Sequence, residues 1–414
     1  MKKIVCVMLC LMLVILPVGV TVSAEETIPV EVRAKAAVLM DGTTGKVLMK
    51  MNENEKLYPA SVTKIMTLLL VMEAIDSNKI RLTDIVTTSP VAASKGGSQI
   101  WLKEGEQMSV DELLKATAVY SANDACTALG EYIAGSDEGF VAMMNERAAE
   151  LGMKNTHFEN CTGLDDDAQK HLTTAYDIAL MSRELMKHEL IKEYTTIWMD
   201  SLRDGKTELV NTNKLIRFYN GATGLKTGTT NKAGCCVAAT ATRDGTSLIA
   251  VVMGSDNSTD RFEGAKAMLN WGFANYSTVT PTIDTSLIKD VNVLKGEERV
   301  LTPQIPYTAS VIIPKGREKD IVSDVSMAAE TLAIPYLLKE KLSPLVMRSS
   351  PKNIFTIDLR ARATGTSEAA LIPISPSDSQ STASPLPKAM NMHDIVLTLS
   401  GMQNIMAGSI VRTM

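Results

Sequence analysis

The sequence predicts an α/β (α+β) protein, an antiparallel sheet flanked by helices, with a small all-β domain at its C-terminal end. Three observations predict it. Two short runs joined by a turn near residue 40 read as a hairpin, and the run from Gly221 to Ser255 alternates like antiparallel strands. Between these runs lie apolar segments with helix start signals. From about Thr278 the texture changes to short β-rich runs separated by Gly and Pro.

The chain opens with MKKIVCVMLCLMLVILPVGVTVSAEE. Lys2 and Lys3 form a positive region, Ile4 to Leu16 is apolar, and Val22-Ser23-Ala24 offers the small residues read by a signal peptidase. This predicts a secretory signal peptide at 1–24, cleaved after Ala24. A membrane anchor is the alternative, but the apolar stretch is short for a span and Pro17 interrupts it. No lipidation-type cysteine stands at the cleavage point.

The main domain is expected over 25–277. "AKAAVLMD" and "KVLMKMN", joined by "GTTG", read as a hairpin. After Pro59, the run from Ser61 to Ile75 is apolar on nearly every face, which predicts a helix buried on all sides. Ser109-Val110-Asp111-Glu112 is a capping box opening a helix to about Tyr120. "SAND" interrupts it, and a second helix is expected from about Ala125 to Ala134. Thr174-Ala175-Tyr176-Asp177 reads as another capping box, with a helix to about Lys187. The run from Gly221 to Ser255 reads as two antiparallel strands turning at Arg243-Asp244-Gly245. A helix follows with Phe262, Ala265, Leu269, Phe273 and Tyr276 on one face.

The small β domain is expected at 280–362, a Ser/Thr/Pro-rich linker at 363–388 and an amphipathic segment at 389–414. In that last segment Ile395, Leu399, Met402, Met406 and Ile410 share a helical face, while Leu397 and Val411 fall off it. No internal repeat is visible.

The chain has 414 residues, 45% hydrophobic and 21% charged, an ordinary balance for a soluble globular protein of two or more domains. Its formal net charge of -5 becomes about -7 without Lys2 and Lys3 (-5 minus 2), so electrostatics give no reason to bind nucleic acid. Cys6 and Cys10 leave with the signal. The spacing of Cys126, Cys161, Cys235 and Cys236 is not that of a disulfide scaffold, and they read as buried small hydrophobes. His157, His171, His188 and His393 are scattered, so no metal site is expected.

Three short motifs carry chemistry: Ser61-x-x-Lys64, Ser121-Ala122-Asn123 and Lys226-Thr227-Gly228. Each alone is weak. A lone Ser-x-x-Lys is better read as an N-cap with a first-turn surface lysine. Their order, and their places at the start of a buried helix, in a break between helices and on a strand, make the set specific. On a helix, positions 61 and 64 share a face. An ordinary lysine is deprotonated in only about one molecule in 10³ at pH 7. Burial lowers that barrier, as does a second cation, for which Lys226 is the candidate. Lys64 is therefore expected to act as a neutral amine that takes the proton of Ser61.

With its flanks "YPASVTKIMT", "VYSANDAC", "LGMKNTHFENCTGLDD", "HLTTAYDIA" and "NTNKLIRFYNGATGLKTGTTNKAG", the sequence resembles the low-molecular-mass penicillin-binding proteins that act as serine-type D-alanyl-D-alanine carboxypeptidases. The resemblance runs closely from about 33 to 276 and more loosely through the β domain. It implies a penicillin-binding/β-lactamase-like transpeptidase fold. It implies that Ser61 attacks the penultimate D-alanine of a peptidoglycan stem peptide, and that β-lactam antibiotics trap the same serine.

Ser121 is then expected in the proton path to the leaving group, and Asn123 to orient either Lys64 or the substrate amide. Lys226 and Thr227 are expected to bind the substrate carboxylate. Gly228 is expected to let the strand approach the ligand closely. The backbone N–H groups of Ser61 and Thr229 are implied as the oxyanion hole. No metal or organic cofactor is implied. Arg261, in "DRF", fits a salt bridge or cap as well as a ligand role, and Trp101 reads first as a packed loop aromatic that borders the cleft at most.

The rivals are a β-lactamase, a D,D-endopeptidase and a non-catalytic wall-binding homologue. Against the first stand the extra β domain, Ser-Ala-Asn in place of Ser-Asp-Asn, and the lack of a Glu-x-x-Leu-Asn pattern. Intact motifs argue against the last. The tail departs from the family, since Lys388 and Arg412 are its strong cations where family members often carry a basic amphipathic helix. Export to the wall side is expected, and attachment to the outer face of the cytoplasmic membrane is the expectation this tail supports less well.

Overall fold

The computed structural model describes residues 29–166, 168–281, 290–294, 300–301, 310–326, 330–332, 353–356, 358–363 and 410–413. The expected signal peptide and, apart from Ala363, the expected linker lie outside the described residues.

One five-stranded antiparallel sheet organises the molecule. Its strands are β1 (Ala36–Asp41), β2 (Val47–Met51), β3 (Ala222–Thr230), β4 (Gly234–Arg243) and β5 (Thr246–Ser255), in the spatial order β2-β1-β5-β4-β3. The expected hairpin near residue 40 forms, with the Asp41 carboxylate accepting from the Thr44 N–H at 2.6 Å. The run from Gly221 to Ser255 holds three strands where two were expected. Its additional turn, between β3 and β4, closes on a hydrogen bond from the Ala233 N–H to Thr230 Oγ1 at 3.0 Å. Gly234 ends the turn at φ +66°, a left-handed conformation that glycine takes at no steric cost.

Both faces of the sheet are covered, and the period-two pattern sorts the side chains. Ala36, Val38 and Met40 of β1 join one apolar cluster, and Ala37 and Leu39 join the other. The first face carries the helices α1 (Lys64–Asp76), α2 (Val110–Lys115), α3 (Asn123–Ala134), α4 (Asp137–Glu150) and α5 (Ala175–Leu185). The second is covered by α6 (Ser258–Asn275), through Phe262, Ala265, Leu269 and Phe273 as expected, while Tyr276 begins a strand just past its end. In α1 every residue from Lys64 to Met72 is buried, so this helix is the axis of the helical layer.

Local signals hold with one correction. Ser109 and Glu112 form a full capping box at α2, and the chain continues through a π turn at Ala116–Tyr120. At α5 only half the box forms: Thr174 Oγ1 accepts from the Asp177 N–H at 3.1 Å. The Asp177 carboxylate instead accepts from the Asn155 N–H at 3.0 Å and Thr156 Oγ1 at 2.8 Å. A capping box uses the longer Glu or Gln side chain to reach back.

Beyond α6, every described element except the turn at Glu318–Asp320 is a strand. Tyr276–Val279 pairs antiparallel with Val311–Pro314, and Ile321–Ser326 with Asp358–Ala363. In the C-terminal segment, residues 389–409 lie outside the described residues, while Ile410–Thr413 is a strand paired with Asn353–Thr356. The expected helical face is thus corrected at Ile410, which lies in a strand of β-branched Ile410, Val411 and Thr413.

Candidate active site

Ser61 lies on a 3-10 turn, Ala60–Thr63, that leads directly into α1 at Lys64. In a 3-10 turn side chains three residues apart stand one above the other. This brings Lys64 Nζ to 3.0 Å from Ser61 Oγ. The residue before the serine, Ala60, is fully buried with φ +49°, a conformation that strains any residue with a β-carbon.

Lys64 is completely buried. Its Nζ also donates to Asn123 Oδ1 at 2.6 Å and to the Thr162 carbonyl at 2.8 Å. Both of those partners are carbonyl oxygens, which only accept. They hold two N–H bonds and leave the third tetrahedral position of the nitrogen facing Ser61. An ammonium fills that position with a hydrogen, and a neutral amine fills it with a lone pair aimed at the hydroxyl. Burial pushes the Lys64 pKa below its ordinary value, and Cys126, Cys161 and Asp124 act the other way. The repulsion expected between the two buried lysines is felt at Lys226, whose pKa burial lowers strongly and the charge of Lys64 lowers further.

The Ser-Ala-Asn stretch bends between the π turn and α3. Ser121 takes the left-handed conformation, φ +69°, and is buried. Among the described residues its hydroxyl has no hydrogen-bond partner. Neither Ser121 nor Asn123 caps α3, whose N-cap is Ala122 with no side-chain bond. Asn123 instead spends its amide on position: Oδ1 accepts from Lys64, and Nδ2 donates to the Gly96 carbonyl at 2.6 Å. Of the two roles left open for Asn123, its carbonyl is thus turned to the lysine.

The Lys-Thr-Gly stretch lies on β3, the edge strand, against the Ser61 turn. Lys226 is buried, with Nζ donating to the Thr227 carbonyl at 3.1 Å. Thr227 Oγ1 donates to Thr212 Oγ1 at 2.8 Å. A β-carbon on Gly228 would fall 2.8 Å from both the Pro59 carbonyl oxygen and the Ser61 nitrogen. The glycine is therefore required by the protein's own Ser61 turn. Thr229, at the exposed end of the strand, donates from Oγ1 to the Gly228 carbonyl at 2.8 Å.

Arg261 resolves as a brace behind β3. Its Nη1 donates to the Gly228 carbonyl and Thr229 Oγ1, both at 2.9 Å, and to the Cys236 carbonyl at 3.2 Å. Trp101 is not packed: it is 73% exposed, at φ +60°. Its neighbours are pinned, since the Ile100 and Leu102 N–H groups donate to the buried Asp124 carboxylate at 3.0–3.2 Å.

Sequence reasoning did not single out Thr162, Thr212 or Asp124. Thr162 contributes a backbone carbonyl, which every residue has. Asp124 lies inside "SAND" and its acidic side chain was available as a signal. The four cysteines resolve as free and buried.

A family model described as D-alanyl-D-alanine carboxypeptidase matches residues 20–257. The chain is 43% identical over 318 residues to the D-alanyl-D-alanine carboxypeptidase DacF of Bacillus subtilis, covering 76% of this chain and 81% of that one. It is 38% identical over 340 residues to DacC of Escherichia coli, with 80% and 84% covered. Among solved structures it is similar to penicillin binding protein 5 from Haemophilus influenzae, with a TM-score of 0.68, 28% identity, and 83% of this chain and 96% of that chain covered. It is also similar to ampicillin-bound penicillin-binding protein D2 from Listeria monocytogenes, with a TM-score of 0.54, 31% identity, and 59% and 99% covered.

Proposed function

The chain belongs to the D-alanyl-D-alanine carboxypeptidase family, and from that premise we propose that Ser61 is the nucleophile with which it removes the terminal D-alanine of peptidoglycan stem peptides. The observation that carries this reading is the buried lysine: Lys64 Nζ stands 3.0 Å from Ser61 Oγ with its other two positions held by carbonyls.

The reaction runs in two halves. Ser61 Oγ attacks the carbonyl of the penultimate D-alanine, and its proton passes to the Lys64 amine. The resulting oxyanion lies against the N–H groups of Ser61 and Thr229, the kind of donor whose loss costs about 10² to 10³ in rate. The carbon–nitrogen bond then breaks, and the departing D-alanine amine takes the proton from Lys64 by way of Ser121. Water hydrolyses the ester and restores the serine. Lys226 and Thr227 hold the substrate carboxylate, and Asn123 keeps Lys64 aimed. A β-lactam presents the same acyl unit and leaves a slowly hydrolysed ester on Ser61.

We place the reaction on the wall side of the membrane, in the unit at 25–277. Among the described residues no helix is long and apolar enough to cross a membrane. Attachment to a membrane surface is assigned to the segment from 389 onward, and truncation near Arg362 should release the protein from the membrane fraction if that segment holds it there.

Intact mass after mixing with benzylpenicillin, with Ser61→Ala alongside, tests the reading. A stoichiometric adduct on the wild type that is lost in the variant supports it. Rapid loss of penicillin with no adduct would make the protein a β-lactamase. An untouched drug and no adduct would leave a wall-binding homologue.

A further inference from the structure

The Ala60–Ser61 peptide unit carries two groups on one rigid plane: the Ala60 carbonyl and the Ser61 N–H. Fixing the direction of one fixes the other. The Ala60 oxygen accepts from Thr63 Oγ1 at 2.8 Å. That hydroxyl has one hydrogen, so its remaining contact, to His171 Nε2 at 2.8 Å, is one in which the imidazole donates. His171 Nδ1, in turn, accepts from the Glu159 N–H at 3.0 Å. The two contacts dictate a neutral ring protonated on Nε2. Burial agrees, pushing the His171 pKa down to about 4.

The imidazole is wholly buried and packs edge-on against Phe158, with ring centroids 5.7 Å apart. It stands at the neck of a loop that closes where His157 and Leu172 exchange backbone hydrogen bonds of 2.9 and 3.1 Å. That loop sends the Thr162 carbonyl to Lys64. It also lays Gly163 so close to the nucleophile turn that a β-carbon there would come 1.9 Å from the Ala60 oxygen. Ala60 itself sits at φ +49°, a strained conformation that persists where its surroundings hold it in place.

We infer that His171 is a positioning residue for the oxyanion hole: through Thr63 it fixes the Ala60–Ser61 peptide plane and so aims the Ser61 N–H at the reacting carbonyl. This rests on the assignment of Ser61 as nucleophile. The ring touches no substrate and exchanges no proton in the reaction. Its effect belongs in the rate of acylation and not in the binding of the substrate carboxylate at Lys226 and Thr227.

The test compares His171→Gln with His171→Asn, because the two amides mimic different ring nitrogens. Gln places its amide N–H near Nε2 and keeps the donor to Thr63. Asn keeps the acceptor for the Glu159 N–H and loses Thr63. Acylation by benzylpenicillin, and kcat and KM for a D-Ala-D-Ala peptide, are measured on full-length protein with thermal unfolding alongside.

His171→Asn is expected to slow acylation about tenfold to a hundredfold, part of what one oxyanion donor contributes, with KM little changed. His171→Gln should recover most of that rate. Thr63→Val should reproduce the loss and Thr63→Ser should not, which keeps the test decisive if a His171 variant does not fold. Equal rates in Gln and Asn variants, or full activity in Thr63→Val, overturn the inference. A wild type that is not acylated overturns the Ser61 assignment instead.

Discussion

Gly228 and Ser61 are held so close that a β-carbon on the glycine would lie 2.8 Å from the serine's backbone nitrogen. The edge strand and the nucleophile turn thus share one surface, and the space between them is set by the absence of a methyl group.

Gly228→Ala follows directly. The added carbon also meets the Pro59 oxygen at 2.8 Å and Ala60 Cβ at 2.9 Å, backbone and near-backbone atoms that do not swing aside. Overpacking of this kind costs about 1–3 kcal/mol. Because it displaces the Ser61 N–H, acylation by penicillin should fall about a hundredfold. Stopped-flow acylation paired with a melting curve checks both, and a variant acylated at the wild-type rate would show that the turn yields freely.

With Lys64 as the proposed base, its lowered pKa predicts the pH dependence of acylation. The amine is the active form, so the rate should rise with pH through a pKa below the ordinary 10.5 and be lost as pH falls beneath it. Lys64→Ala should remove the limb and most of the rate. A profile flat across the accessible range in the wild type would argue against lysine as the base.

His171 predicts an acid limb in stability. The fold holds the ring neutral, while the unfolded chain takes up a proton near 6.5. Stability is therefore full above about 6.5 and is lost as pH falls towards about 4, by no more than about 3 kcal/mol. The charges around the ring divide: Glu159 and Asp165 favour protonation, and His157 and Lys64 oppose it. Denaturant midpoints across this window should fall less steeply with acid in His171→Asn than in the wild type, and equal slopes would assign the limb to other groups.

Trp101 predicts a gain. A non-glycine residue in the left-handed region is strained by about 1 kcal/mol, and an indole 73% exposed contributes little packing in return. Trp101→Gly should leave the melting temperature unchanged or raise it by a few degrees. A fall would mean that the ring is packed in solution.

What was legible in the sequence were features of short span. Ser61 and Lys64 announce themselves by a spacing of three, and Ser109 and Glu112 by another. β1 and β5 are buried on both faces, so they read as near-continuous apolar runs, and their division between two cores follows from the pleat. The partners of Lys64 were legible only in part. Asn123 lies in a motif, but Thr162 acts through its carbonyl, which carries no side-chain signature. His171 and Thr63 are 108 residues apart, with the helices α1 to α4 between them, and nothing local marks their contact. The β3–β4 turn carried a signal in Asn231 and Gly234, the latter at φ +66°, that was not read as a break in the run.

The strand order carries a consequence for how the molecule assembles. β1, the first strand made, sits inside the sheet and pairs along its length with β5, so that Ala36 faces Met253. A chain synthesised from its N-terminus must hold an apolar hairpin with one side unmatched until most of the main domain has followed. Closure of the sheet is thus a late, long-range event, the kind of step that makes folding slow and leaves an early strand edge open to wrong partners. The candidate site shares that topology, because the strand with Lys226 joins the hairpin only through β4 and β5, and it is this strand that closes against the Ser61 turn.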